Sequence, residues 1–214
     1  MRRVRKTLDA ARYETIVFAA TGSGDRAMED LIEQGRLDGV IDITISQLGQ
    51  GVVRGDTPGG PRRLAVAGAL GLPQVVTFGG LDILNCQRGD FRIAEAAQGM
   101  RLAHQHSPTL TAVRPTVEES GRIGREVAAR LNQATASDML AVLIPKGGFS
   151  EYSVPGAPLY DPLAGAALIS AFMDEIAPTV SVQMIEAAIN APEFADALAR
   201  TFVAMTEPIR ATQQ

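Results

Sequence analysis

Residues 14–27 read ETIVFAATGSGDRA, and residues 28–35 continue as MEDLIEQG. An apolar run (14–20) ends in a glycine-rich turn and opens at once into an amphipathic stretch (25–34) closed by Gly35. Strand, tight turn and helix in that order form the repeating unit of a parallel α/β sheet. Glycines let the backbone approach an anion, and free N–H groups at a helix start favour phosphate. The spacing Gly22-x-Gly24-x-x-Ala27 fits the dinucleotide pattern. Asp42 ends the next strand, roughly 20 residues on, where a ribose-binding acid sits. Asp25 supports a competing reading, because a carboxylate in the first turn caps the helix itself and a tight turn needs no ligand. Thr21, Gly22, Ser23, Gly24, Arg26 and Asp42 are the candidate ligand residues of this stretch.

The rhythm continues outward. Apolar runs at 39–44, 74–78, 139–144 and 180–184 read as strands. Residues 61–70, 118–133, 162–176 and 192–205 read as helices, with Pro61 at a first turn and Gly71 just past an end. Ile123, Val127 and Leu131 fall four apart on one helix face. Residues 90–106 hold a further helix, and 110–113 a short strand. The pattern predicts one α/β domain over residues 1–214, a Rossmann-like, doubly wound, mainly parallel sheet of about six strands. Residues 7–12 read as the tail of a helix leading into the first strand. A parallel sheet normally enters such a helix from an earlier strand. Two readings follow: the chain is one half of a larger protein, or a leading helix simply packs on the sheet.

Composition narrows the function classes. The chain has 214 residues, 46% hydrophobic and 21% charged, as an ordinary globular protein does. A formal net charge of −4 gives no electrostatic footprint for nucleic acid. No apolar run reaches membrane-spanning length, and the basic start is followed by too short an apolar stretch for a secretory signal. A single cysteine, Cys86, excludes an internal disulfide and agrees with a reducing, cytoplasmic setting. It reads as a buried, inert thiol, and with two histidines the chain offers few zinc ligands.

Three further stretches carry candidate chemistry. FGGLDILNC (78–86) places Asp82 and Asn85 after a strand, where they bind a hydroxyl or a metal, or cap a helix. HQHSPTLTAVRPTVEE (104–119) holds both histidines. His104 and His106 share a face on a strand and diverge on a helix. Arg114 meets a phosphate or carboxylate, or forms a surface ion pair. Thr116 with Glu119 forms a capping box. PKGGFS (145–150) supplies Lys146, Gly147, Gly148 and Ser150 on the edge of the first loop, if the sheet is parallel. No G-x-S-x-G elbow or Walker lysine is present. Asp161-Pro162 is a helix start with Asp161 as cap.

Taken together and in order, ATGSGDRAMEDLI, GVIDIT, the GP-RRL helix, GLPQVV, GGLDILN, the H-x-H-S-P segment, R-x-T-x-E-E, L-I-P-x-x-G-F-S and PGAPLYDP resemble the Tm-one-like ATP-binding family. The resemblance covers nearly the whole chain and corresponds to a member's C-terminal half. It implies two Rossmann-like lobes, with much of the ATP binding in the N-terminal one, and so a separately encoded first lobe or a homo-oligomer as partner. Plant members that the chain resembles bind a viral replication protein, which implies that the fold also serves as a docking surface. Departures from the pattern are Ser107 for an Asn, Ser153 for an Asp, Leu163 and Gly165 for acidic residues, and Ala188-Ile189-Asn190-Ala191 where the family reads H-I-N-D. Losing a histidine and carboxylates removes proton carriers and metal ligands, which implies weakened catalysis or a changed substrate.

The leading expectation is a lobe that binds a nucleotide such as ATP, or another phosphorylated small molecule, across the loops at Gly22–Arg26, Asp82–Asn85 and Gly147–Ser150. An enzyme acting on a phosphorylated or carboxylated substrate, with His104, His106, Asp82 and Arg114 as acid, base and clamp, is the second. A protein-interaction module is the third. No metal site is expected from the residues, and neither nucleic acid nor membrane is expected as a partner.

Overall fold

The computed structural model describes residues 2–55 and 60–212. Seven strands follow one another as β1 (Val40–Thr44), β2 (Gln74–Gly79), β3 (Leu84–Gln87), β4 (Ala103–Ser107), β5 (Leu110–Val113), β6 (Leu140–Pro145) and β7 (Ser181–Ile185). The helices are α1 (Arg2–Ala10), α2 (Ser23–Glu33), α3 (Ser46–Arg54), α4 (Ala65–Ala69), α5 (Phe91–Ala97), α6 (Val117–Leu131), α7 (Pro162–Glu175) and α8 (Pro192–Thr212). Four strands form a parallel sheet in the order β1-β2-β6-β7, and three form a small antiparallel sheet in the order β3-β5-β4.

The central strands explain the layering. QVVTFG of β2 and LAVLIP of β6 are buried at every position, so both sheet faces need cover. Val75, Ala141 and Leu143 point to one face, packed by Val4 and Leu8 of α1 and Phe194, Leu198 and Phe202 of α8. Val76, Phe78, Val142 and Ile144 point to the other, against Ile123, Val127 and Leu131 of α6 and Leu168 and Phe172 of α7. Val40, paired in register with Gln74, lies on this second face with Met28 and Ile32 of α2 and Val66 of α4.

Three expectations are corrected. The parallel sheet has four strands, not about six. Residues 14–20 form no regular element, and among the described residues they pair with no strand. Their apolar pattern suits a strand, yet a strand exists only where a neighbour takes its backbone groups, and none lies alongside. Residues 61–64 form turns before α4 rather than a full helix, and Leu64 takes a left-handed φ of 71°. There the Leu64 N–H donates to Glu29 Oε1 (3.1 Å) instead of a helical carbonyl, which turns Arg63 inward. The predicted capping box of Thr116 with Glu119 and the Asp161 cap of α7 are both present.

Candidate functional site

Parallel strands bring their carboxyl ends to one rim, and three loops meet there. The turn after β2 runs through Gly79 and Gly80 to Asp82. Gly80 takes a φ of 74°, and its N–H donates to the Phe149 carbonyl (3.1 Å), joining this loop to the one after β6. Ser150 Oγ then donates to Asp82 Oδ2 at 2.6 Å and accepts from the Tyr152 N–H at 3.2 Å. Arg114 follows β5 and enters the same spot with 3% exposure. Its Nη1 lies 3.5 Å from Asp82 Oδ2, and its Nη2 donates to the Asp161 carbonyl at 3.3 Å. Burial lowers the Arg114 guanidinium from its ordinary value, while Asp82 and Asp161 pull the other way. Arg114 Nε and Asp82 Oδ1 are buried without a hydrogen-bond partner.

The two histidines join the cluster through the antiparallel sheet. His104 and His106 both lie on β4, so the strand reading applies and they share a face. His106 Nδ1 is 2.7 Å from Tyr152 Oη, and the His104 ring packs tilted on Tyr152 with centroids 5.1 Å apart. A chain of contacts therefore runs from the histidines through Tyr152 and Ser150 to Asp82 and Arg114. Sequence reading named all of these except Tyr152. Its spacing two residues beyond Ser150, in a loop already singled out, was the available signal. A carboxylate holding a serine hydroxyl beside a buried guanidinium can orient an anionic oxygen and a proton-bearing group together.

The remaining candidates have structural occupations. Asn85 lies inside β3 opposite Ala112, with its backbone N–H donating to Gln50 Oε1 at 3.3 Å. Lys146 pairs with Glu186, and a Cβ at Gly147 would sit under 3.0 Å from the backbone of Ala187 and Ala188. Gly148 takes a φ of 134°. Cys86 is fully buried.

The first loop turns its chemistry inward. Gly22 has a φ of 85°, and its N–H donates to Asp25 Oδ2 at 2.7 Å. The helix thus supplies its own anion, as the competing reading had it. Asp25 Oδ1 accepts from Arg63 Nε at 2.9 Å, and Arg63 Nη2 lies 2.5 Å from Asp42 Oδ1. Asp42 also accepts from Gln74 Nε2 at 3.1 Å. Arg63, Asp25, Glu29 and Asp42 are each buried at 3% exposure. Burial opposes the Arg63 charge, but Asp42, Asp25 and Glu29 together hold its proton above the ordinary value. Burial pushes Glu29 up to about 7, with nearby Asp42 adding to the rise. This ion cluster was not foreseen: residues 61–70 read as one helix, and nothing in that reading singled out Arg63. Thr21, Ser23 and Arg26 stay at the surface, with Thr21 Oγ1 3.5 Å from Ser23 Oγ, while Gly24 is tucked under Ala19.

Among the described residues no three or more His, Cys, Asp or Glu side chains are grouped to hold a metal ion, and no helix is long and apolar enough to cross a membrane.

Comparison with known proteins bears on the whole arrangement. Residues 1–206 match the model described as "Uncharacterised protein family (UPF0261) C-terminal domain". A UPF0261 protein of Clostridium tetani is 36% identical over 205 residues, covering 95% of this chain and 50% of that protein. One from Rhizobium meliloti is 34% identical over 200 residues, covering 92% and 49%. The ToMV resistance protein Tm-1(GCR237) of Solanum lycopersicum is 33% identical over 209 residues, covering 97% of this chain and 27% of that protein. The chain spans about half the length of the bacterial relatives it matches. On these matches the chain belongs to the UPF0261 family, as its C-terminal domain.

Proposed function

We propose that this C-terminal lobe binds a nucleotide or another phosphorylated small molecule at the carboxyl rim of the sheet, beside a second lobe. The observation that carries the reading is Arg114. It is a buried guanidinium whose Nε has no partner and whose charge is only loosely answered by Asp82 at 3.5 Å. A buried charge this incompletely paired is costly, and a phosphate oxygen would supply the missing partner with a bidentate geometry. In open α/β sheets ligands favour the carboxyl ends of the parallel strands. Calorimetry with ATP and with inorganic phosphate tests it, on this chain alone and with the N-terminal half of the C. tetani relative added. Heat that is lost in Ser150→Ala and Arg114→Lys, both confirmed folded, is expected. No heat in any arm sinks the reading.

A second reading is an enzyme. The His106–Tyr152 hydrogen bond at 2.7 Å favours it, because it couples a histidine to a phenol whose proton is held above its usual range by desolvation and Glu151. A pH–rate profile unchanged in His106→Gln, once turnover of a substrate is found, would remove His106 from the chemistry.

A further inference from the structure

The outer edge of β1 borders a trough of about 930 Å³ that residues 14–20 also line. Val40 N–H donates to the Pro73 carbonyl on the β2 side (2.8 Å). Alternation along a strand therefore turns the Ile41 N–H and C=O into the trough. Residues 14–20, which also line the trough, carry the composition of a strand and among the described residues pair with none, leaving Ile16 58% and Val17 52% exposed. Above and below, apolar side chains line the space: Leu8 and Phe202 on one face of the sheet, Met28 on the other.

The helices fix what belongs there. Helix α1 leads into residues 14–20 and lies with α8 on one face, whereas α2 leads out of them to β1 and lies on the opposite face. Two successive crossovers on opposite faces that flank a gap are what a strand order 2-1-3-4-5 produces when right-handed connections are kept. Residues 14–20 take position 2, and β1, β2 and β6 take positions 3, 4 and 5. The trough is position 1. A strand at that position leads directly into α1, and Val4, Arg5 and Leu8 of α1 line the trough. We infer that the trough receives an extended β-strand, apolar on both faces, parallel to β1 and bonded through its main chain to Ile41 on one side and to residues 14–20 on the other. The family supplies the source: this chain corresponds to a C-terminal domain and to 50% of the C. tetani relative, so the occupant is a segment of the N-terminal half of the family's polypeptide. Sheet completion by a separate segment is an established recognition mode, and an open edge of this kind is otherwise an aggregation hazard. The proposal does not depend on the ligand reading above, although the carboxyl end of the inserted strand would rise beside Asp25 and Asp42, which also line the trough.

The test uses the full chain carrying an N-terminal extension: a seven-residue Val/Ile/Thr segment joined to α1 by a short loop, of the length usual between a strand and its helix. A control extension has proline at alternate positions and cannot pair. Amide hydrogen exchange is read at residues 14–20 and 40–44. Both segments are expected to exchange at least tenfold more slowly with the pairing extension than with the proline control. Ile41→Pro, which removes a donor that β2 does not use, should abolish that protection while circular dichroism stays native. Three results would overturn the proposal. One is protection of only one wall. Another is slow exchange of both walls in the unextended chain at every concentration, meaning that 14–20 pairs with β1 directly. The third is protection of the unextended chain that grows with concentration, which would assign the trough to a second copy.

Discussion

Arg63 carries one positive charge among the three carboxylates of Asp25, Glu29 and Asp42, all deeply buried. With all three ionised the cluster has more negative than positive charge, and Glu29, at about 7, is the group whose protonation reduces that excess. The folded carboxyl lies above its ordinary 4.5. Between those values the unfolded chain is ionised while the folded chain keeps the proton, so stability falls as pH rises through that window and levels off above it. The loss is on the order of 3 kcal/mol, since one pKa unit corresponds to about 1.4 kcal/mol. Glu29→Gln keeps an acceptor for the Leu64 N–H and removes the titration. Urea melts at pH 5 and pH 8 should show the variant losing less stability than the parent over that interval. A parallel fall in both would place the pH dependence elsewhere. At the rim the same reasoning separates two neighbours. Asp82→Ala strands the buried Arg114 charge and should cost about 3 to 5 kcal/mol. Ser150→Ala removes one charge-assisted hydrogen bond and should cost about 1.5 to 3 kcal/mol. Denaturant midpoints that rank them in the opposite order would mean that Asp82 does not answer Arg114.

Helix α6 shows how one element holds two kinds of glycine. A Cβ at Gly124 would sit within 3.0 Å of the Leu168 carbonyl, on α7, so the two helices touch backbone to backbone there. A Cβ at Gly121 would find its nearest neighbour at 3.7 Å, the end of Arg125. Alanine gains up to about 1 kcal/mol of helix propensity at either position. At Gly124 that gain is overridden, because Leu168 and Phe172 are buried and α7 cannot retreat. Gly124→Ala should lose about 1 to 3 kcal/mol, while Gly121→Ala is stabilised, which thermal melts of the two variants would check. Elements of this clarity were largely legible in the sequence. The strands at Val40, Gln74, Leu140 and Ser181 announce themselves as apolar runs, and Gly35, Thr116 and Asp161 mark helix ends that the structure keeps. The small sheet was harder to read. Its strand β5 was read at 110–113, but β3 and β4 are four and five residues long, and β4 is mostly exposed, so neither length nor periodicity distinguishes those two from loop. Residues 14–20 failed in the opposite sense. Their pattern suits a strand, but pairing is a property of two segments, and composition reports only one. The candidate site divided the same way. Asp82, Arg114 and Ser150 were found because each follows a strand. The ion cluster around Arg63 was missed because its burial depends on Leu64 adopting a left-handed turn.

At the scale of the molecule, stability is expected to be uneven. The strands β2, β6 and β7 are tied by parallel pairing and by both core clusters. The stretch from Arg12 to Ala20 connects α1 to α2 without joining either sheet. Arg12 is exposed with a left-handed φ of 62°, a conformation that most side chains avoid, and Ile16 and Val17 beyond it stand in solvent, while Tyr13 and Phe18 are half-buried. Local opening should therefore cost much less here than in the central strands, and proteases cut the segments that open most readily. Brief digestion with trypsin should cut after Arg12, and chymotrypsin after Phe18, before either enzyme releases any fragment from the β2–β6 core. The cuts would be identified by mass spectrometry of the first products. Burying Ile16 and Val17 against a paired strand should delay both cuts together, whereas a ligand at the Asp82–Arg114 rim should leave them unchanged. First cuts among residues 98–106, where the exposed small sheet and its loop also lie open, would instead make that sheet the weakest part of the molecule and residues 12–20 a firmly held wall.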